Sequence, residues 1–411
     1  MRVTNRLRKQ NIVFAAAFIV MICVPLLLVN REDGAISVDE NRYLAARPKI
    51  VDDSGSLNTT FAADFESWLN DNIGLRSLFV RLNAGLKYHV FRSLSSGGLG
   101  SSDFYLGPGG EFNYAEKEML LDYQHKNLYT QEQLDETSMA YQRINDALES
   151  RGIKYYYMQC RDKHRIYPEQ FMTSVNQYGD VSLVDQVLTN LKANTTVHVI
   201  DTTEVLMRGK GGAQTDGETA QTDEIAANAV FHQFGASEGE TFGRYTDPSH
   251  WTEYGGYLAY RELMETINAG EDGGYPVLEP EDYDLTMEDQ GTTLYGGIHE
   301  VDMQEAYHIK SPAAVEDDTM IVPLEGTGHR IFTCDAAGND DVLLIIGDSY
   351  VENYILDDIA ESFGTTIFVW GDYSDKFMDF VELYQPTIVL NENAERCSYR
   401  FPMIVSMAAD L

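Results

Sequence analysis

The sequence predicts an α/β fold in which a mainly parallel sheet is covered by helices on both faces. From about residue 131, short apolar runs alternate with stretches whose apolar residues recur at helical spacing, and this alternation is typical of parallel sheets with crossover helices. Residues 342–346 are five consecutive apolar residues, as in a strand that is buried on both faces. With 411 residues, 44% of them apolar, the chain can form a sizeable core.

Residues 1–30 are predicted to form a cytoplasmic basic tail and a transmembrane signal anchor. Residues 12–29 are eighteen residues without a charge, and as a helix they would be about 27 Å long, close to the roughly 30 Å of a hydrocarbon core. A cleaved signal peptide is the alternative, but the run is longer than usual for one and no clear small-residue cleavage site follows. The basic flank predicts that the main domain lies outside the cytoplasm, in a single-pass protein of the cell membrane. The basic residues of this flank are Arg2, Arg6, Arg8 and Lys9.

A lead-in region, residues 31–130, is predicted to pack on the main domain. A helix is predicted over residues 61–94, where apolar residues recur at helical spacing. Residues 103–114 are predicted to form a short strand, a Pro-Gly-Gly turn and a second strand.

The main α/β domain is predicted to cover residues 131–411. Acidic, turn-rich stretches at about 207–246 and 270–330 are predicted to be long loop insertions, which in a compact domain are usually functional or mobile. Helices are predicted at residues 134–152, 182–194, 252–269, 351–363 and 374–384. Strands are predicted at residues 153–159, 195–201, 342–346, 365–370 and 387–393.

The charge balance makes nucleic acid a poor partner for this chain. The net charge is −35, and the residues after 30 carry 26 basic side chains (30 less the 4 of the basic flank) against 65 acidic ones. The four cysteines form no disulfide framework, although Cys160, Cys334 and Cys397 allow one pair. We find no CxxC and no spacing typical of metal ligands, so no metal or cofactor is predicted.

Ser349 is the first candidate for a catalytic side chain. It follows the buried run and Gly347-Asp348, and an amphipathic pattern starts just after it, so it lies at a strand-to-helix junction. Open α/β folds bind ligands at the carboxyl ends of their strands. Asp and Ser are also favoured N-caps of helices, so a purely structural role is the alternative from local sequence alone.

A serine nucleophile needs a base, and His250 is the strongest candidate among nine histidines. Asp247 precedes it by three residues in one turn, and a carboxylate there can orient the imidazole so that Nε2 takes the serine proton. The alternative is that Thr252 or Ser249 caps the following helix and that Asp247 only shapes the turn.

His164 lies in a second polar segment, residues 161–168, which follows a predicted strand and contains Lys163 and Tyr167. Such a segment can bind an acidic sugar or line the pocket. A solvated loop is the alternative for the same residues.

Seven motifs in order resemble the SGNH-hydrolase-like proteins of bacterial polysaccharide O-acetylation, which include the alginate acetylation proteins AlgJ and AlgX and the DHHW family. They extend through most of the chain after the apolar segment, and each alone is short. The motifs are "ENRYLAARP" at 40–48, "FESWLNDNIGLRSLFVRL" at 65–82, "YLGPGGEFNY" at 105–114, "RDKHRIYPEQF" at 161–171, "DPSHWTEYGGYLAY" at 247–260, "IIGDSY" at 345–350 and "QPTIVLNENAER" at 385–396.

The resemblance implies a flavodoxin-like three-layer α/β/α sandwich and a Ser349-His250-Asp247 triad. The family's usual spacing is Asp-x-His-Trp, whereas this chain has one residue more between Asp247 and His250, so the acid is the position in question. The residues that the motifs add as substrate-binding or supporting are Trp251, Lys163, Tyr167, Asp348 and Arg396.

The expected function is a membrane-anchored acetyltransferase that acts on a cell-surface or exported polysaccharide, with acetyl groups supplied by a membrane-bound partner. A carbohydrate esterase with the same triad is one alternative, because only the acceptor, sugar or water, differs. A non-catalytic carbohydrate-binding scaffold is the other, and it is favoured if Asp247 lies away from His250.

Overall fold

The structure is a computed structural model, and its described residues form two compact units. One unit comprises residues 1–102 and 293–299, and the other comprises residues 103–292 and 300–411. The predicted domain boundaries at residues 30 and 130 stay predictions. The residues that the structure describes are 2–32, 35–37, 42–51, 55–90, 104–114, 116–171, 175–210, 240–270, 273–294, 297–317, 329–371, 376–409 and 411.

The described residues of the smaller unit form three helices and two short antiparallel strand pairs. The single helix predicted over residues 61–94 is wrong, because the chain breaks it at Leu75, whose φ of 63° is left-handed and incompatible with a continuous helix. Residues 91–94 of that prediction lie outside the described residues. The helices are Arg2–Leu27, Phe61–Asn72 and Arg76–His89. The strand pairs are Ile36–Ser37 with Arg42–Tyr43 and Thr293–Leu294 with Ile298–His299.

The transmembrane anchor predicted at residues 12–29 is not supported. A helix does cover most of this segment, ending at Leu27 with Pro25 in its last turn. Within the described part of the chain, no helix combines the length and the apolar character needed to cross a membrane.

The larger unit is built on a mixed seven-stranded sheet. Four of its strand pairings are parallel, as the alternating pattern predicts. They join the strands Thr365–Trp370, Val342–Gly347, Ile388–Ala394, Lys154–Cys160 and His198–Asp201. At the other edge, two strands that the sequence analysis did not predict pair antiparallel. The strand order is Val315–Glu316, His329–Thr333, Thr365–Trp370, Val342–Gly347, Ile388–Ala394, Lys154–Cys160 and His198–Asp201.

Helices cover both faces of this sheet, which gives the three layers that the resemblance implies. Alternate residues of the central strand enter different cores: Leu343 and Ile345 pack in one, and Leu344 and Ile346 in the other, because successive side chains of a strand point to opposite faces. The helices are Lys117–Tyr123, Gln131–Glu149, Lys163–Ile166, Leu183–Asn194, Thr203–Gly209, Glu253–Asn268, Ser349–Glu352, Leu356–Ala360, Phe377–Tyr384 and Arg400–Ala408.

Two hairpins complete the larger unit. Strands Phe104–Leu106 and Phe112–Tyr114 pair antiparallel, which confirms the predicted strand-turn-strand at residues 103–114. Strands Tyr283–Asp289 and Met303–Ile309 also pair antiparallel, so the insertion predicted as a loop at residues 270–330 is partly a β-ribbon.

The predicted helix over residues 351–363 is wrong in detail. The chain forms one turn at Ser349–Glu352 and a second at Leu356–Ala360. Ile355, at the junction, has φ −134° and ψ 0°, which is not helical, although Ile355, Ile359 and Phe363 are all buried as the spacing predicts.

The stretch at residues 207–246, predicted to be a loop, departs from that prediction at both ends. The helix Thr203–Gly209 occupies its start, and residues 211–239 lie outside the described residues. Its last part is not on the surface, because Thr241 and Phe242 are fully buried. The cysteines are all free thiols, so the pair that the sequence allowed does not form.

Candidate active site

Ser349 lies where the central strand Val342–Gly347 ends, at the first position of the short helix Ser349–Glu352. A Cβ atom at Gly347 would come within 2.8 Å of Oε2 of Glu392 on the neighbouring strand, so any other residue here would displace that buried carboxyl. Asp348, and not Ser349, caps the helix: its carboxylate accepts a hydrogen bond from the Tyr350 N–H at 3.1 Å. The Ser349 hydroxyl is therefore not required as a cap.

Asp348 fixes the turn that carries the serine. Its Oδ2 atom accepts from the Ala394 N–H at 2.9 Å and from Arg400 at 3.0 Å, and its own N–H donates to Glu392 at 2.7 Å. Burial, together with the nearby Asp348 charge, raises the pKa of Glu392. Asp348, predicted as a supporting residue, thus ties the serine turn to the end of the adjacent strand.

The structure brings Ser349, His250 and Asp247 into one hydrogen-bonded chain. The Nε2 atom of His250 lies 2.6 Å from Oγ of Ser349, and its Nδ1 atom lies 2.7 Å from Oδ2 of Asp247. An ionised carboxylate can only accept, so Nδ1 carries the hydrogen and the lone pair of Nε2 faces the serine hydroxyl. This is the arrangement that a general base requires.

Ser249, one of the two residues between Asp247 and His250, lies inside this chain of contacts. Its N–H and its hydroxyl lie 2.8 Å and 2.6 Å from Oδ1 of Asp247, and its Oγ lies 2.9 Å from Nδ1 of His250. Asp247 therefore both shapes the turn and reaches His250. Thr252 caps the following helix through the Gly255 N–H.

The surroundings keep Asp247 ionised. Burial alone would raise the pKa of this carboxyl, but the hydrogen bond and charge of His250 and the bonds from Ser249 outweigh it and lower the pKa to about 2. The carboxylate side chain is still 43% exposed, so solvent also contributes to its ionisation.

Aromatic side chains hold the imidazole in place. The Tyr354 ring stacks on His250 with centroids 5.5 Å apart, and the Tyr350 ring lies 5.0 Å away. Trp251, predicted as a supporting residue, is fully buried and meets Tyr350 edge-on at 4.7 Å. Trp251 is therefore a packing residue behind the site.

Arg396 reaches the site, as predicted, and one nitrogen of its guanidinium lies 3.4 Å from Nε2 of His250. Its other terminal nitrogen donates to the Ser249 carbonyl at 2.7 Å and to Asp162 at 2.9 Å. Tyr350 also donates to Asp162, at 2.8 Å. The guanidinium places a fixed positive charge beside the histidine and holds the backbone of its turn.

Lys163 and Tyr167 do not contact the triad among the hydrogen bonds of the described residues. The buried Lys163 ammonium donates to the carbonyls of Phe112 and Gly243 at 2.9 and 2.8 Å, and the Tyr167 hydroxyl accepts from the Thr241 N–H at 3.0 Å. Burial lowers the pKa of Lys163 to about 8, against the opposing charge of Glu240. Both residues contact the segment that leads to His250, which favours the supporting role over the substrate-binding role among the two that were predicted for them.

Sequence reasoning did not identify Asp162, Tyr350, Tyr354 or Arg400. Arg400 lies in a helix, Arg400–Ala408, that was not predicted. Asp162 lies in the polar segment at residues 161–168. An acidic residue between Arg161 and Lys163 was the sequence feature that could have identified it.

Part of the chain matches a known protein family. Residues 116–217 match the model described as the SGNH hydrolase-like domain of the acetyltransferase AlgX. The match confirms the resemblance to SGNH-like polysaccharide O-acetylation proteins over about a quarter of the chain, and with the mixed sheet it supports an SGNH-hydrolase-like α/β fold. The matched residues end before Asp247, His250 and Ser349. No curated protein matches the chain.

The solved structures that match the chain are distant in sequence. Bacillus cereus PatB1 is 13% identical with a TM-score of 0.48, over 72% of this chain and 98% of that one. A DHHW family protein from Eubacterium siraeum is 13% identical with a TM-score of 0.43, over 77% and 98%. The O-acetyltransferase domain of Pseudomonas putida AlgJ is 13% identical with a TM-score of 0.43, over 75% and 99%.

Proposed function

We propose that this protein is an O-acetyltransferase that acts on a polysaccharide through Ser349, His250 and Asp247. The observation that carries the proposal is the unbroken chain of hydrogen bonds, 2.7 Å from Asp247 to His250 and 2.6 Å from His250 to Ser349. A non-catalytic scaffold is favoured if Asp247 lies away from His250. The 2.7 Å distance between these two side chains argues against that alternative.

In the first half-reaction, Oγ of Ser349 attacks the carbonyl carbon of an acetyl donor while Nε2 of His250 takes the hydroxyl proton. The carbonyl oxygen becomes an oxyanion, which the Ser349 N–H is positioned to bind because the first N–H groups of a helix have no intrahelical acceptor. One such donor is worth about 10²–10³ in rate. Collapse of the intermediate expels the donor alcohol or thiol, which takes the proton from His250 and leaves acetyl-Ser349.

In the second half-reaction, a sugar hydroxyl attacks the acetyl group and gives its proton to His250. Ser349 then leaves and recovers that proton, so the enzyme returns to its starting state. With water as the acceptor the same steps release acetate, which is the esterase alternative. The triad has the same role whether the acceptor is a sugar hydroxyl or water.

Replacement of Ser349 by Ala tests this proposal. We expect S349A to lose both acetate release from a model ester and acetyl transfer to an oligosaccharide, whereas replacement of Ser406, exposed on the helix Arg400–Ala408, changes neither. Transfer by the wild type in the presence of an oligosaccharide supports the transferase over the esterase. Acetyl transfer that persists in S349A would disprove the proposal.

The location and the acetyl source stay predictions from the sequence. If the domain lies outside the cytoplasm, the acetyl donor has to be delivered there by a membrane-bound partner. Loss of polymer acetylation in cells that lack such a partner, with the purified domain still active on a model ester, is the expected outcome.

A further inference from the structure

Three side chains that are distant in sequence meet in a buried cluster outside the triad. Asp122, His164 and Glu395 each offer a ligand atom, and these atoms lie within 4.8 Å of one another. Their exposed fractions are 1%, 5% and 1%. The sequence analysis predicted no metal-ligand cluster because the three residues come from three separate segments.

Asp122 is incompletely satisfied in this environment. Among the described residues, neither of its carboxylate oxygens has a hydrogen-bond partner, and neither does Nδ1 of His164. The nearest opposite group to Asp122 is Nε2 of His164, at 3.8 Å, which is too long for a hydrogen bond. A buried carboxylate without a hydrogen bond is costly, and a cation bound between these side chains would offset that cost.

The neighbouring cations are already engaged. Arg161 pairs with Asp185, Asp201 and Glu395 at 2.9, 3.1 and 2.9 Å, and Arg165 pairs with Asp185 at 3.2 Å. Arg161 therefore faces three carboxylates with one charge and does not pair with Asp122, whose nearest positive group is the His164 ring when protonated, at 3.8 Å.

The cluster opens into a cavity of about 140 Å³. That volume exceeds the roughly 30 Å³ that one water takes in the liquid, so an ion and its water ligands fit. The cavity is also lined by Arg165, which pairs with Asp185, and by the polar side chains of Tyr123, His125, Gln177 and Ser182.

We propose that Asp122, His164 and Glu395 bind a divalent transition-metal cation such as Zn²⁺. One imidazole and two carboxylates are ordinary ligands of Zn²⁺, at about 2.0–2.2 Å. Ligand atoms around a tetrahedral ion at that distance lie about 3.4 Å apart, so ligand atoms now up to 4.8 Å apart have to approach one another by up to about 1.4 Å. Water from the cavity supplies the remaining position.

The ion joins elements that border the active site. Asp122 lies in the helix Lys117–Tyr123, and Glu395 directly precedes Arg396. Glu395 also accepts from the N–H of Asp162 at 3.1 Å, and Asp162 holds Arg396. The metal therefore stabilises the helix against the segments that position Arg396, a role that does not depend on the proposed acetyl transfer.

Zn²⁺ binding to the EDTA-treated full chain, measured by isothermal titration calorimetry, tests this site. We expect one ion per chain and an upward shift of the thermal unfolding midpoint. D122N and H164Q are expected to weaken binding by at least about tenfold, since even second-shell changes cost that much. H308Q is the matched control, because His308 pairs with Glu288 at 3.2 Å on the surface, and we expect it to bind as the wild type does.

The proposal is overturned if the wild type does not bind Zn²⁺, or if D122N and H164Q bind it as tightly as H308Q does. Should either variant fail to fold by circular dichroism, anomalous scattering at the zinc edge from wild-type crystals soaked in ZnCl₂ decides. A peak between the three side chains supports the site, and a crystal without that peak rejects it.

Discussion

Asp247 and His250 are joined across 2.7 Å, although one more residue separates them than the family's usual spacing allows. Within this turn, the N–H and the hydroxyl of Ser249 contact the other oxygen of Asp247. We expect D247N to lower kcat by about 10²–10⁴, because an amide no longer fixes the imidazole tautomer. Replacement of the exposed Asp340 by Asn is the control in the same ester assay, and near-normal kcat in D247N would show that Asp247 does not orient His250.

Ser249 itself is expected to contribute to the orientation of the acid. S249A removes the 2.6 Å hydroxyl contact to Asp247 but keeps the backbone N–H contact. A hydrogen bond to a charged group contributes about 1.5–3 kcal/mol when buried, and this one is partly exposed, so we expect kcat to fall by about tenfold. Steady-state kinetics would contradict this role if S249A raised KM and left kcat unchanged.

Arg396 is expected to require its planar guanidinium. The two terminal nitrogens contact Asp162, the Ser249 carbonyl and His250 together, a set that a single ammonium group cannot match. We predict that R396A and R396K both lower kcat, with R396K recovering less than a tenth of the wild-type value. Full recovery of activity in R396K would mean that charge alone matters at this position.

Asp348 is expected to be needed for stability as well as for the position of Ser349. D348A leaves the buried Arg400 and the Ala394 N–H without this acceptor, and breaking a buried ion pair costs about 3–5 kcal/mol. Urea unfolding of D348A in the inactive S349A background measures this loss apart from catalysis. A change below about 1 kcal/mol would contradict the proposed role of this network.

Asp358 gives the stability a defined pH dependence. Burial, against the hydrogen bond from Tyr283, raises the pKa of this carboxyl from 3.8 to about 7. An acid whose pKa is raised on folding holds its proton longer in the folded state, so the free energy of unfolding falls as pH rises from about 4 to about 7. D358N should abolish this component while its amide oxygen still accepts from Tyr283. The exposed Asp340 provides the control, and equal pH profiles of D340N and D358N would refute the assignment.

Much of the site follows from local sequence. The apolar run that ends in Gly347-Asp348-Ser349 predicts a strand and a turn, and the three-residue separation of Asp247 from His250 lets both side chains meet within one turn. These relationships depend on a few neighbouring residues, so periodicity and turn chemistry capture them.

What sequence could not supply depends on contacts between distant segments. Asp162 and Arg396 are 234 residues apart in the chain, and no periodic pattern records that their side chains meet. The antiparallel strand His329–Thr333 begins with two polar residues and follows an acidic, turn-rich stretch. Its own sequence pattern is therefore weak, and pairing with the neighbouring strand is what makes this segment a strand. The apolar spacing after Ser349 correctly predicts which face is buried, but it does not reveal that the helix breaks before Leu356.

The central claim is that Ser349 carries the acetyl group, and a trapped acyl-enzyme tests it most directly. The protein is mixed with an activated acetyl ester, quenched in acid within a turnover, digested and analysed by mass spectrometry. We predict one added acetyl group on the peptide that contains Ser349, and no such adduct in S349A, with H250A showing much less. Acetylation at another residue, or equal acetylation in S349A, would contradict the account.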